Sequence, residues 1–571
     1  MKKTNPKEAK KPAAPTVIKI NILKSQYILP FAIFLCSVLL NAFVLINYSK
    51  SPFAQSPVWD AHLYWKWGQQ IASGDLIGKT IFHQAPFYPY FLSLIILTFG
   101  KSLIAIYVIQ ATISAISSVL IYSITKKLSG NIVGACIAAF LFIFYDMQVF
   151  YATKVLSECL SIFLILLCIR LLLNNSPPKS QTFLAGLAFS FLCIAKPHFL
   201  IATPFILLHF FVSQKPQSLR PFLTQCAMLL LPILILIGAV TARNYIVGKD
   251  IVLISSNGGE NFYIGNHDKA DGSYTPVKGI SRDIEYQNED VNAVAEKESG
   301  RFLKRSEAST FWFHKGLKFI KDNPKKYLRI EWLKLKYIFS GAERSSMYYL
   351  YFEKKNITRG YSIAFINFYI LLPLFLAGLL TTSGQWRRLF PIFIFLIVNV
   401  INIMIFFYDT RFMLLCIACW VIIAAVGISR FLEKIRSFEL SKVGFQPYTL
   451  LLVLGTCLSI LLFKADTKAW KPDSHMFMTI GEICLEQNHL DAALDAFTKA
   501  SELNQKDWMP AFGVSKVCFR KGNTTLAAQL YTQAFENISQ DFQTFVLRDE
   551  ILDPIRQIAK TLPDSVLHAQ N

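Results

Sequence analysis

The sequence of 571 residues predicts an all-α polytopic membrane protein that carries an external loop domain and a C-terminal α-solenoid. The composition is 53% hydrophobic and 17% charged, and the mean hydropathy is +0.40, well above the globular average. Several apolar runs approach the length that crosses a bilayer. After residue 464 these runs give way to a pattern of short helical repeats.

The chain begins with a Lys-rich arm, residues 1–26, which we expect to be cytoplasmic. The first apolar run, 27–47, is too long for the apolar core of a signal peptide, and no small-residue cleavage site follows it. The pattern therefore predicts an uncleaved first membrane helix.

The apolar runs predict about eleven membrane spans, at 27–47, 102–125, 131–150, 156–173, 181–195, 197–213, 222–242, 361–380, 389–407, 410–429 and 446–464. The first seven fall in 27–242 and the last four in 361–464. Short loops rich in Lys and Arg then lie on the side of the N-terminus, as the positive-inside rule requires: Lys126 and Lys127, Lys179, Lys215 and Arg220, Arg387 and Arg388, and Arg430, Lys434 and Arg436. An odd count places the first outer loop, 48–101, and the C-terminus outside.

Residues 86–99 are apolar but too short to cross the membrane, and two prolines lie near their start. They predict an interfacial or re-entrant helix on the outer side.

The formal net charge of +21 does not predict a nucleic-acid partner. Lys and Arg are scattered over the loops and do not line one face, which is what the positive-inside rule produces. Nine of the eleven cysteines lie in apolar runs, where they act as small hydrophobes.

Two further domains are predicted outside the membrane. Residues 243–360 form a polar external domain with a Gly/Asn-rich loop at 255–266 and a basic helical region from Arg301 to Lys336. Residues 470–571 predict two tetratricopeptide repeats with a cap helix at 541–561, a surface that suits a protein partner. The repeat positions are Gly481, Ala493, Phe497 and Ala500, then Ala527, Tyr531 and Ala534, with Cys484 and Cys518 in the same slot.

No Gly-x-Gly-x-x-Gly, Walker loop, His-Glu-x-x-His or Asp-x-Asp sequence occurs, so soluble nucleotide chemistry has no support. Polar residues instead gather where predicted spans meet the outer water. Each of them alone fits ordinary snorkelling at a span end. Together, however, they come from separate parts of the chain and lie on one side of the membrane, which predicts a membrane-embedded site. They are Asp60, Lys66, His83, Glu158, Lys196, Arg243, Glu260 and Arg411.

The ordered segments "WDAHLYWKWGQQIASGD", "HQAPFYPYFLSLIILTFG", "YATKVLSECL", "CIAKPHFLIATPF", "ARNYIVGKDIVLISSNGGENFYIGN" and "YDTRFMLL" resemble the fold-class-C glycosyltransferases. The resemblance spans about residues 25–430 and favours the bacterial branch similar to protein O-mannosyltransferases and lipid A aminoarabinose transferases. It implies an inverting enzyme of the inner membrane. Such an enzyme takes a sugar from a polyprenyl-phosphate donor and passes it to a lipid, glycan or protein acceptor outside the cytoplasm.

The resemblance implies that Asp60 is the catalytic base, which accepts the proton of the acceptor hydroxyl. The alternative is an aspartate that caps the helix predicted from Ala61 to Ala72. The resemblance implies that Glu158 is a second acid, which orients the acceptor, holds a divalent ion or pairs with Lys154. The alternative is an ordinary acidic charge at a helix N-terminus. A metal requirement stays open.

The substrate-binding residues implied are His83, which with Pro86 matches a His-x-x-Pro element, and Lys196 and Arg243, which would hold the carrier phosphate. Lys66 and Arg411 complete this set. The aromatic residues beside Asp60 either stack on sugar or lie in the headgroup belt: Trp59, Tyr64, Trp65 and Trp67.

Two other functions remain open from the sequence. The chain could be a non-catalytic assembly protein whose repeat domain recruits envelope partners, or a polysaccharide transporter. The transporter predicts charged residues in the middle of spans, whereas those found here lie at span ends.

We expect a reporter that is active only in the cytoplasm to be silent when it is fused after Asn571, because an odd number of spans places that end outside. A phosphatase that is active only outside should give the opposite result. A bright cytoplasmic reporter would contradict this topology and make residues 86–99 a span.

Overall fold

The computed structural model describes residues 22–174, 177–214, 219–277, 279–280, 284–436, 473–505, 507–536 and 552–567. Most of the predicted basic arm, the predicted span at 446–464 and the first part of the predicted cap helix lie outside the described residues.

The described residues are helical, and their only β-structure is two isolated bridges, Tyr145 with Ile366 and Ser273 with Tyr408. The helices up to the predicted external domain are α1 (Ile22–Tyr48), α2 (Pro52–Gln55), α3 (Asp60–Ala72), α4 (Phe87–Phe99), α5 (Leu103–Ser129), α6 (Ile132–Ile143), α7 (Asp146–Tyr151), α8 (Glu158–Leu172), α9 (Lys179–Ala195), a 3-10 turn (Pro197–Ala202), α10 (Thr203–Gln214) and α11 (Leu219–Gly248).

The remaining helices follow in chain order. They are α12 (Gly258–Gly265), α13 (Ile284–Ser299), α14 (Arg305–Asp322), α15 (Pro324–Ser340), α16 (Leu350–Asn356), 3-10 turns at Arg359–Ile363 and Ser383–Gln385, α17 (Phe368–Thr381), α18 (Trp386–Ile405), α19 (Thr410–Arg436), α20 (Asp473–Glu486), α21 (Leu490–Leu503), α22 (Met509–Arg520), α23 (Thr524–Glu536), α24 (Leu552–Thr561) and α25 (Asp564–Leu567).

Among the described residues, five helices are long and apolar enough to cross a membrane: Tyr27–Tyr48, Leu103–Ser129, Leu219–Gly248, Trp386–Ile405 and Thr410–Glu433. Other predicted spans fall on shorter apolar helices, and the number eleven stays a prediction. The predicted 131–150 span is two helices, because the chain breaks at Phe144 and Tyr145. There the backbone bonds to Ile366 in both directions, at 2.9 and 3.0 Å. The protein is a helical membrane protein.

Helix α19 lies at the centre of the membrane part, with 89% of its most apolar stretch buried. Small residues let its neighbours approach closely. A Cβ at Gly134 of α6 would overlap Ser429, and one at Gly378 of α17 would overlap the backbone at Ile423. Trp420 stacks on Phe375 with ring centroids 4.2 Å apart. These contacts fix the middle and the second half of α19 against its neighbours.

A buried ion pair ties the segment between α7 and α8 to helix α16. The Lys154 ammonium lies 2.7 Å from the Glu353 carboxylate, and both side chains are fully buried. The ammonium also lies over the rings of Tyr48, Phe150 and Tyr348, at 4.3 to 4.8 Å from their centroids. Burial lowers the pKa of Lys154 to about 8, and the neighbouring Glu353 opposes that shift.

The C-terminal domain consists of the α20/α21 and α22/α23 hairpins followed by α24. Six of the residues at the predicted repeat positions are buried: Ala493, Phe497, Ala500, Ala527, Tyr531 and Ala534. The Phe497 ring packs directly against two glycines, because a Cβ at Gly481 or Gly513 would overlap it. The helical hairpins fit the repeat pattern, and their assignment to tetratricopeptide repeats stays a prediction.

Replacing Glu353 by Gln should destabilise the protein by about 3–5 kcal/mol, because it leaves the Lys154 ammonium buried without its counter-charge. Thermal unfolding of the detergent-purified protein measures this. Lys154→Met combined with Glu353→Leu should cost less, since no buried charge remains. The exposed pair at Lys499 and Asp495 is the control, and Asp495→Asn should change stability by about 0.5 kcal/mol or less. An equal, small effect at Glu353 and Asp495 would contradict the structural role of the buried pair.

Candidate active site

A cavity of about 580 Å³ opens where α3 begins, α9 ends and α19 begins. Loops from the predicted external domain close its other sides. Four charged side chains line it: Asp60, Lys196, Arg344 and Arg411. The remaining wall is mainly aromatic, amide and hydroxyl side chains, which is the mixture expected of a site for a polar ligand.

An ion pair joins the two helix starts at this cavity. Arg411 Nη1 donates to Asp60 Oδ2 at 2.7 Å, and the two side chains are 14% and 12% exposed. Asp60 Oδ1 makes no hydrogen bond with the residues that the structure describes. One carboxylate oxygen is therefore fixed by Arg411 and the other is available to a ligand.

The structure also bears on the alternative role of Asp60 as a helix cap. Helix α3 begins at Asp60, its N-cap position is Trp59, and no side chain caps it. The Asp60 carboxylate instead faces Arg411. Trp59 has φ 55° and ψ −131°, a conformation that strains any residue with a Cβ.

Asp409 fixes the segment that carries Arg411. Its carboxylate accepts hydrogen bonds from the backbone and hydroxyl of Ser346, at 3.0 and 2.7 Å, and from the Arg411 backbone at 3.0 Å. Thr410 also exchanges backbone and side-chain bonds with Arg344 at 2.8 to 2.9 Å. These bonds place Arg344 and Arg411 in the same wall.

Glu158 and Lys196 form a second ion pair at 2.9 Å, where Glu158 is 1% exposed and Lys196 is 13% exposed. Lys196 lines the cavity and Glu158 lies behind it. The alternative partner of Glu158, Lys154, is bound to Glu353. Glu158 thus orients a cavity lysine.

His83 contacts Glu260 at 3.1 Å, and both side chains are largely buried. Its neighbour Gln84 is the residue that lines the cavity, where it accepts a hydrogen bond from Asn257 at 3.0 Å. The His-x-x-Pro element therefore joins the predicted first outer loop to the predicted external domain through two adjacent side chains.

Arg243 and Lys66 are not brought to the cavity. Arg243 donates to the carbonyls of Ile77 and Thr80, at 2.6 and 2.8 Å, and lies 3.7 Å from the centre of the Phe82 ring. Lys66 is exposed on α3. It lies six residues after Asp60, a rotation of about 240° around the helix axis, and therefore lies on a different face of the helix from Asp60. Arg243 holds a loop, and the predicted substrate roles of both residues gain no geometric support.

The aromatic residues near Asp60 separate into two groups. Trp59 and Tyr64 line the cavity. Trp59 stacks on His475 of α20, with centroids 5.3 Å apart and planes 16° apart. Trp67 packs on Phe82 at 5.3 Å.

Within the described residues, no group of three or more His, Cys, Asp or Glu side chains could hold a metal ion. A cationic side chain lies beside each of the two acids of this region, Arg411 beside Asp60 in the cavity wall and Lys196 beside Glu158 behind it.

Residues of the cavity wall that sequence reasoning missed include Arg344, Asn402 and His475. Arg344 lies in a polar loop that has no periodic pattern, and His475 lies in a segment predicted as a separate domain. The segment "YDTRF", already noted for Arg411, is the predicted site segment nearest in sequence to Asn402.

Residues 83–241 match the family model described as dolichyl-phosphate-mannose-protein mannosyltransferase. The match covers a little more than a quarter of the chain. It includes Glu158 and Lys196 but leaves Asp60 and Arg411 outside. This similarity supports a membrane glycosyltransferase.

The chain is also similar to the crystal structure of the Archaeoglobus fulgidus oligosaccharyltransferase in the apo form, at 12% identity and a TM-score of 0.41. The alignment covers 81% of this chain and 59% of that one. A comparison with curated proteins gives no match.

Replacing Gly259 by Ala should destabilise the cavity wall, because a Cβ there would overlap the carbonyl of Ser309 on α14. The neighbouring Gly258 is a matched control, since a Cβ there meets nothing within 4 Å. Thermal unfolding should show a loss of about 1–3 kcal/mol for Gly259→Ala and little change for Gly258→Ala. Equal stability of the two variants would contradict the close α12–α14 packing.

Proposed function

We propose that the chain is a glycosyltransferase of the inner membrane that moves a sugar from a polyprenyl-phosphate donor to an envelope acceptor on the outer face. The observation that carries this proposal is the ion pair of Asp60 with Arg411 at the wall of a polar cavity, which leaves one carboxylate oxygen open to the acceptor. The family match to residues 83–241 supports the reaction class.

Asp60 is the general base in this proposal. The acceptor hydroxyl gives its proton to Asp60 Oδ1 as its oxygen forms a bond to the anomeric carbon of the donor sugar. The bond from that carbon to the phosphate oxygen breaks, and its electron pair leaves with the polyprenyl phosphate. Attack from the face opposite the leaving group inverts the anomeric centre. Asp60 then passes its proton to solvent.

Arg411 orients Asp60 for this role. A guanidinium at 2.7 Å holds the carboxylate in one orientation, which prepares it before the acceptor arrives.

Lys196 and Arg344 are the groups that we assign to the carrier phosphate. Both line the cavity, and cations offset the negative charge that develops on a departing phosphate. Glu158 supports Lys196 from behind, at 2.9 Å. Arg344 has a long contact of 3.5 Å to Asp271, which is half exposed.

The sugar and the acceptor would bind against the amide and hydroxyl groups of the wall. Such groups donate to and accept from sugar hydroxyls. They are Gln84, Ser255, Asn257, Asn261, Ser273, Gln287, Ser345, Ser346 and Asn402. Lipid, glycan and protein acceptors all carry the hydroxyl that this chemistry needs. The C-terminal hairpins supply a surface for a protein partner.

Replacing Asp60 by Asn should lower transfer by about a hundred- to ten-thousandfold, because the amide keeps the shape but cannot take the proton. Donor affinity should change little. The measurement is transfer of sugar from purified polyprenyl-phosphate donor to envelope extract, read by mass spectrometry of lipids and glycans. Asp75→Asn is the matched control, since Asp75 lies just past the other end of α3 and accepts a hydrogen bond from the Gly78 backbone, which Asn can also accept.

Wild-type transfer by a well-folded Asp60→Asn protein would refute the base role and favour Glu158. No transfer by the wild-type protein with any polyprenyl-phosphate sugar would favour the assembly protein.

A further inference from the structure

The C-terminal domain is packed onto the membrane part through its first helix, α20. Met476 and Ile483 are buried in the same apolar cluster as Phe53 and Phe352. Phe477 meets the Phe352 ring edge to face at 5.2 Å. The domain therefore shares a core with the first outer loop, and its position is fixed relative to α3.

A hydrogen bond beyond the end of α20 adds to this packing. Gln487 donates to the hydroxyl of Ser56 at 3.0 Å, and Ser56 lies four residues before Asp60. The short helix α2, which Ser56 follows, also packs against α20. The segment that leads to Asp60 is held on one side by the C-terminal domain.

The last contact in this series is the stack of His475 on Trp59, with planes 16° apart. Trp59 has a positive φ of 55°, which a residue with a Cβ adopts only where its surroundings enforce it. Its backbone sets the direction of the next residue, Asp60. A ring that covers the Trp59 indole therefore also determines where the Asp60 carboxylate lies.

We propose that His475 is a positioning residue for Asp60: by stacking on Trp59 it holds the strained backbone that presents the carboxylate to Arg411 and to the acceptor. The C-terminal domain is then part of the active site, because its first helix contributes His475 to the cavity wall. This inference rests on the proposed function of Asp60 as the base.

Positioning by stacking requires an aromatic ring and not the imidazole nitrogens. It differs in this respect from a histidine that carries a proton or binds the acceptor, which requires the nitrogens. His475→Phe keeps a ring of similar size, and His475→Ala removes it. The two variants therefore separate the two roles.

In the full-length purified protein, His475→Ala should lower kcat by about ten- to a hundredfold, as expected when a catalytic group is displaced by about 1 Å. His475→Phe should stay within about threefold of the wild-type kcat, since stacked aromatic rings replace one another. KM for the polyprenyl-phosphate donor should change by about twofold or less in both. Equal losses in the Phe and Ala variants, or none in either, would overturn the positioning role.

The coupling to Trp59 is tested by a double-mutant cycle. Trp59→Ala alone removes the stack, so adding His475→Ala should cause no further loss of kcat. Two losses that multiply would show that the residues act independently and would overturn the proposal. His489→Ala is the matched control, because His489 is an exposed histidine at the turn between α20 and α21, and its kcat should equal that of the wild type.

Hydrogen–deuterium exchange tests the same contact without a measurement of activity. The first backbone amides of α3 should exchange faster in His475→Ala than in the wild type or in His475→Phe, while those of α14 should not change. If the wild-type protein transfers no sugar, the proposed function is refuted, but hydrogen exchange in α3 still tests whether His475 holds the start of this helix. Unchanged exchange in His475→Ala would refute the positioning role alone.

Discussion

Asp60 and Arg411 approach to 2.7 Å across 351 residues of sequence, at a place where each side chain is almost entirely shielded from water. A charge in such surroundings is costly unless it is paired, and each of these residues is the counter-charge of the other. The pair can form only if α3 and α19 begin at the same point. The position of α19 at the centre of the bundle meets this requirement.

Other ion pairs and contacts around the cavity serve the same geometry. Asp409 binds the loop at Ser346 and holds the start of α19, while Glu158 holds Lys196 at the end of α9. Trp59 turns the chain into α3 and is covered by a helix from the other end of the sequence. The cavity is therefore not a feature of the membrane helices alone, since each of its charged groups is oriented by a residue from a distant segment.

The sequence predicted most of the helices because hydropathy is a local property that does not depend on neighbours. Asp60, Lys196 and Arg411 were identified because their residue types and order follow a known motif. Arg344 and His475 were not, since their place at the cavity depends on contacts between distant segments. Lys154 and Arg243 illustrate the same limit. Both are cations near predicted span ends, yet one lies buried beside Glu353 and the other holds a loop.

The long sequence separation of the two charges has a consequence for biosynthesis. A ribosome that adds about 5–20 residues per second reaches Arg411 roughly 20–70 s after it has made Asp60. During that time the first helices are already made, but Asp60 lacks its partner Arg411. Nascent chains that stop before α19 therefore lack the cavity. Every enzyme molecule acquires its site late in translation, after most of its membrane helices have been inserted.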